Sequence, residues 1–171
     1  MIIIFPTETC YGIGCPVFEA ESVKKIFEIK NRDEGKCLPV VVHDFEQWMK
    51  IAVPNELAIK LAEKYWPGPL TLITKKRKEV PDEICKKTIA CRISSHPVVR
   101  EITEKCGPFI ATSANISGEQ NPDSLDKIPE KIKKEADRII DGGKLHTVSS
   151  TVYNCINKKI VRKGPIIPEV V

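Results

Sequence analysis

The tetrapeptide Trp66-Pro67-Gly68-Pro69 constrains the chain more than any other feature, because two prolines around a glycine cannot continue a helix. Before it, Asn55 stands as an N-cap to residues 56–65, where Leu57, Leu61 and Tyr65 recur at helical spacing. After it, residues 70–74 read as a strand. A chain that exchanges helix for strand this abruptly, and does so repeatedly, belongs to a mixed α/β class.

The same alternation runs from end to end. Residues 2–5 read as a strand entering a hydroxyl- and glycine-rich loop, "PTETCYGIG". Residues 20–30 read as a helix with Val23, Ile26 and Phe27 on one face, and residues 38–42 as a buried strand. Asp44 caps a short helix through Ile51, residues 89–93 form a strand, and Pro97 opens a helix to about Lys105 at the favoured first position. Residues 109–112 read as one short strand, residues 124–136 as helical turns interrupted by Pro129, and residues 138–140 as a strand ending at Asp141. Residues 148–154 and 159–162 close the pattern as a hairpin. With no repeat and no long linker, the expectation is a single domain, residues 1–171, built on one twisted mixed sheet flanked by helices.

Composition limits the functional classes. Hydrophobic residues at 42% and charged residues at 29% suit a globular protein, and a net charge of +4 permits an anionic ligand without requiring nucleic acid, whose binders show a stronger clustered excess. The basic runs at 75–78, 131–134 and 158–163 read as solvated faces. The apolar start "MIIIF" is too short for a signal peptide or a membrane span, so a cytoplasmic, membrane-free protein is expected. Seven cysteines, none spaced C-x-x-C, read as small buried hydrophobes kept reduced, and His43, His96 and His146 are too dispersed for a zinc site. No structural metal is expected.

Three loops carry concentrated chemistry: "PTETCYGIG", "KNRDEGK" and "TSANISG". Their hydroxyls, amides and cations suit phosphate or carboxylate oxygens, and each adjoins a strand or helix end, where α/β folds place ligands. Each residue also has a local explanation. Thr7 and Thr9 suit a strand end, Ser113 and Asn115 suit a turn that bonds its own backbone, and Lys30 and Arg32 suit a helix C-terminus. No P-loop, dinucleotide fingerprint, nucleophile elbow or H-E-x-x-H occurs. Local chemistry therefore stops at an anion-binding α/β domain of enzyme type.

At these loops the chain resembles the YrdC/Sua5 family of threonylcarbamoyl-adenylate synthases. The resemblance rests on "FPTETCYGIG" (5–14), "KNRDEGKCLPVVV" (30–42), "WPGPLTLI" (66–73), "TIACRISSHP" (88–97), "GPFIATSANISG" (107–118), "SSTVYN" (149–154) and "VRKG" (161–164), in that order. It implies a YrdC-like fold with a concave basic cleft. It also implies an activity: L-threonine, bicarbonate or CO2 and ATP give threonylcarbamoyl-AMP and pyrophosphate. A downstream tRNA threonylcarbamoyl-transferase complex then uses the product for t6A modification at adenosine 37 of tRNA. No protein nucleophile is implied; Lys30, Arg32 and Arg92 would act by positioning and charge.

Carried over residue by residue, the resemblance gives threonine-binding roles to Thr7, Tyr11, Arg92, Ser113 and Ser150. It gives ATP-binding roles to Lys30, Arg32, Lys36, Thr88, Asn115 and Arg162. Magnesium is implied with ATP, held by phosphates and water. The alternative reading is a non-catalytic binder of double-stranded RNA or tRNA using the same cleft. The sequence departs from the family at Asp33, where a proline is usual, and at Val41, where many relatives carry a threonine-contacting histidine. Relatives also carry a helix before the first strand, and the longer ones an extra C-terminal domain; the resemblance is to the short, single-domain form.

Overall fold

The computed structural model describes residues 1–33, 35–146 and 148–169. Ile3–Pro6 (β1) folds back on Tyr11–Gly14 (β2) as an antiparallel hairpin, with Ile3 opposite Gly14 and Pro6 opposite Tyr11. The loop expected over "PTETCYGIG" is thus confined to residues 7–10, because all of β2 is buried. Ala20–Lys30 (α1) follows, burying Val23, Ile26 and Phe27. It ends where Asn31 turns left-handed (φ 48°), with Asn31 N–H donating to Glu28 O and Arg32 N–H donating to Phe27 O.

Next come Val40–Val42 (β3), Phe45–Ile51 (α2), Ala52–Val53 (β4) and Glu56–Tyr65 (α3). Both expected caps form: Asp44 accepts Gln47 N–H at 2.8 Å, and Asn55 accepts Ala58 N–H at 2.9 Å. After α3, the Trp66 ring packs on Trp48 with centroids 4.7 Å apart, and its Nε1 donates to Leu70 O at 2.6 Å. The helix stop is therefore a braced corner that aims the chain into Leu70–Lys76 (β5).

Thr88–Ile93 (β6), Pro97–Cys106 (α4), Phe109–Ile110 (β7) and Thr112–Ser113 (β8) follow. Beyond a 3-10 turn at Leu125–Lys127 lie Glu130–Lys133 (α5), Arg138–Ile139 (β9), Thr151–Asn154 (β10) and Lys159–Arg162 (β11).

The mixed α/β class holds, but the strands form two sheets rather than one. One has the order β8-β2-β1-β9; the other runs β11-β10-β5-β6-β3-β7, with β4 added beside β5. Both mix parallel and antiparallel pairs, as in β1 with β9 and β10 with β5, which are parallel. The strand expected over 109–112 is where the sheets separate. Val40 pairs Ile110 in the larger sheet, whereas Gly12 pairs Ser113 in the smaller one, so the chain changes sheets at Ala111. Gly14 permits the crossing, since a Cβ there would lie 1.6 Å from Ile110 O.

The cysteine expectation is corrected. Cys10, Cys15, Cys91 and Cys155 are buried and free, but Cys106 is half-buried, and Cys37 and Cys85 form a disulfide across 48 residues. Leu38 N–H donates to Ile84 O at 3.0 Å, which sets the two segments side by side. Sequence spacing holds no trace of that adjacency.

Candidate functional site

A cavity of about 400 Å³ opens where the two sheets part. Its walls come from the β1–β2 turn, from β8, from one face of the larger sheet and from the segment before β10. Strand alternation decides which side chains face it. On β6, Ala90 and Arg92 border the cavity while Ile89, Cys91 and Ile93 enter the core; on β5, Thr71 and Ile73 border it while Leu70 and Leu72 do not.

The β1–β2 turn is tied by its own hydroxyls. Thr7 Oγ1 donates to Cys10 O at 2.8 Å and accepts N–H groups from Thr9 and Cys10 at 3.0 and 3.2 Å. Thr7 and Thr9 share a further 2.9 Å hydroxyl contact, and both border the cavity. The turn-former reading and the ligand reading of these residues are thus compatible.

Opposite lies a second polar cluster. Ser150 Oγ stands 2.9 Å from Thr71 Oγ1 and accepts Arg162 Nη2 at 2.9 Å, while Arg162 Nε donates to Ser150 O at 3.0 Å. Gly164 lets the chain after Arg162 lie against this segment: a Cβ there would meet Ser149 O and Thr151 N, each at 2.4 Å. Burial, and then the neighbouring charge of Arg92, hold the Arg162 guanidinium below the ordinary arginine range.

Arg32, Arg92 and Arg162 are the charged groups lining the cavity, and no carboxylate lines it among the described residues. Arg32 is steadied by Cys37 O at 2.8 Å and Lys36 O at 3.2 Å, and burial lowers its pKa. Asp33, the departure from the family pattern, accepts Gly35 N–H at 2.9 Å and lies outside the lining.

Lys30 points elsewhere. It is 1% exposed, and its ammonium donates to Ser113 O, to Asn115 O at 2.8 Å and to Asn115 Oδ1 at 3.0 Å. Ser117 N–H returns to Lys30 O at 3.0 Å. Burial, followed by the charge of Arg32, pushes Lys30 down to about 8, against three oxygens that favour its charged form. Asn115 is equally committed, since its amide donates to Glu119 O and Asn121 Oδ1 and its Oδ1 also accepts Ser113 Oγ.

Of the residues singled out in the sequence, Thr7, Arg32, Arg92, Ser113, Ser150 and Arg162 converge on the cavity. Five do not border it. Lys30 and Asn115 are spent on holding the 113–117 loop. Tyr11 is buried, its hydroxyl bonded to Asp141, Gly142 and Gly143. Lys36 is exposed, and Thr88 borders a second cavity with Cys85 and Lys87. Sequence reading passed over Thr71, Asn121 and Ser149, the last two joined by a 2.9 Å hydrogen bond. Thr71 is the residue most open to detection, lying inside "WPGPLTLI" on the alternation that faces the cavity. Among the described residues no metal-binding group of three or more His, Cys, Asp or Glu side chains is gathered, and no helix is long and apolar enough to cross a membrane.

Among the described residues the cavity is walled by backbone-tied hydroxyls and arginines, a lining with the chemistry to meet anionic oxygens, in a mixed α/β domain. The chain belongs to the Sua5/YciO/YrdC family, whose model, described as telomere recombination, matches residues 1–164. A Methanocaldococcus jannaschii relative is 38% identical over 168 residues, covering 96% of this chain and 80% of that protein. The threonylcarbamoyl-AMP synthase of Pyrococcus abyssi is 39% identical over 159 residues, covering 90% of this chain but only 46% of its own length. The crystal structure of P. abyssi Sua5 complexed with L-threonine superposes with a TM-score of 0.90 at 36% identity, over 95% of this chain and 50% of that one. The chain thus spans about half the length of the P. abyssi protein.

Proposed function

We propose that the protein is an L-threonylcarbamoyladenylate synthase, a nucleotidyltransferase acting on L-threonine, bicarbonate or CO2 and ATP. One observation carries the reading: three arginines and the hydroxyls of Thr7, Ser113 and Ser150 converge on one cavity in a fold shared with a threonine-bound relative. The threonine amine and bicarbonate combine to a carbamate with loss of water. A carbamate oxygen then attacks the α-phosphorus of ATP, and pyrophosphate leaves.

The chemistry asks the protein for alignment and charge, not for a nucleophile. Arg92 presents a planar fork suited to the threonine carboxylate. Arg32 and Arg162 suit the phosphates, and Thr7, Ser113 and Ser150 suit the amino acid. Lys30 and Asn115 serve the same site by fixing the loop that carries Ser113. A lining without carboxylates fits a magnesium ion that arrives on the triphosphate, held by phosphate oxygens and water, where it supplies charge neutralisation. The product, an acyl adenylate, is the activated form from which a downstream tRNA-modifying complex transfers the threonylcarbamoyl group.

The test is pyrophosphate release from ATP with threonine and bicarbonate omitted in turn. Release is expected only with both, and Arg92→Ala is expected to abolish it while leaving circular dichroism unchanged. Release indifferent to threonine sinks the proposal. Tight, strongly salt-dependent RNA binding with no turnover establishes the RNA-binding alternative in its place.

A further inference from the structure

Glu8 sits between the two cavity-bordering threonines, yet its own side chain does not border the cavity. Its Oε2 accepts the Ser94 hydroxyl at 2.5 Å, and Ser94 Oγ also accepts His96 N–H at 3.2 Å. Its Oε1 is buried and accepts no hydrogen bond among the described residues. That oxygen lies 3.4 Å from Arg92 Nη1, with the two side chains only 13% and 9% exposed. The contact is close enough for charge attraction but lacks hydrogen-bond geometry.

A buried carboxylate facing a buried guanidinium ordinarily takes up its N–H groups in a bidentate pair. Here it does not. Among the described residues Arg92 donates no hydrogen bond, and it borders the cavity. A second guanidinium, Arg162, is near enough for Arg92 to depress its pKa. Strand alternation puts Arg92 at this wall, two cations crowded there repel, and an anion on the other side of Arg92 offsets that repulsion.

We propose that Glu8 is the positioning residue of Arg92, holding the guanidinium at the cavity wall by charge alone and leaving its N–H fork free for the substrate's carboxylate. Ser94 fixes Glu8 in turn, so the order of support runs from Ser94 to Glu8 to Arg92. The identity of that carboxylate rests on the function proposed above; the geometry does not.

Neutralising Glu8 removes the anchor without removing the substrate's partner. Glu8→Gln is therefore expected to lower kcat on the order of ten-fold, with the threonine KM unchanged within about two-fold or lowered. Glu8→Asp, which keeps the charge, recovers part of the loss, and Ser94→Ala shows a smaller loss in the same direction. The independent readout is the Arg92 side-chain Nε–Hε resonance, assigned by its disappearance in Arg92→Lys. It is expected to be single and sharp in the wild type and broadened or shifted in Glu8→Gln.

An Arg92 resonance unmoved by Glu8→Gln overturns the proposal. So does a raised KM at constant kcat, which would mean that Glu8 touches substrate, and so does a lowered melting temperature with neither kinetic nor spectral change. A wild-type protein without threonine-dependent turnover overturns the functional reading instead, and the resonance still decides the role of Glu8.

Discussion

The end of α1 and the segment just after it carry the same charge and meet opposite surroundings. Lys30, in the last helical turn, goes inward and spends its ammonium on three oxygens of the 113–117 loop. Arg32, beyond the left-handed Asn31, goes to the cavity wall and, among the described residues, donates to the carbonyls of Lys36 and Cys37 in its own loop. One residue with positive φ reverses the chain between them. A cationic motif can therefore divide its labour, one member bracing a loop and the other facing the cavity.

The sharpest break of this contrast is a matched pair of substitutions. Lys30→Met leaves three loop oxygens without their donor, an expected loss of about 3 kcal/mol. That corresponds to a melting temperature lower by roughly 6–12 °C for a chain of this size. Arg32→Met is expected to stay within about 2 °C of wild type while raising the KM for ATP. Thermal denaturation beside steady-state kinetics checks both; a stable Lys30→Met or an unfolded Arg32→Met reverses the assignment.

A pH series sharpens the same contrast with a smaller effect. Lys30 titrates at about 8 in the folded protein, below its ordinary 10.5. Between those values the unfolded chain binds more protons, so this group makes the fold more stable as pH rises through the window. Function moves the other way, because a neutral amine holds the 113–117 loop with fewer donors. Activity is expected to fall above about pH 8 while the melting temperature does not, and this alkaline limb should vanish in Lys30→Met. An alkaline limb that persists in that variant assigns the titration to another group.

The smallest expected effect concerns the Arg32 side alone. Cys37 O accepts from Arg32, and Cys37 is joined to Cys85, so the bridge tethers the cation loop. Cys37→Ser combined with Cys85→Ser is expected to raise the ATP KM by about three-fold with kcat unchanged. Thiol labelling before and after reduction reports whether the two cysteines are paired. A double variant with wild-type KM removes the bridge from any account of Arg32.

How much of this was readable in advance varies with the range of the interaction. The caps at Asp44 and Asn55, the start at Pro97 and the stop at Trp66 act over three or four residues, and each appears where local chemistry puts it. The hairpin over residues 3–14 was hidden because glycines blur the strand signal, and residues 109–112 read as one strand because nothing local marks the change of sheet at Ala111. Of the residues that motif matching singles out, Thr7, Arg32, Arg92, Ser113, Ser150 and Arg162 border one cavity. It cannot tell that Lys30 and Asn115 face each other rather than the cavity, since residue type shows chemical capacity and not direction.

The sequence by itself determined most of the helices and the longer strands, the polar loops at their ends and the family, because these depend on residues near one another or on motifs in fixed order. Only the tertiary structure decided the division into two sheets, the Cys37–Cys85 bridge and the inward turn of Lys30. It also decided the buried pairing of Glu8 with Arg92, which joins residues far apart in the chain. The physical reason is that a charge is placed by the sum of its burial cost and the partners that offset it, and those partners exist only after the chain has folded.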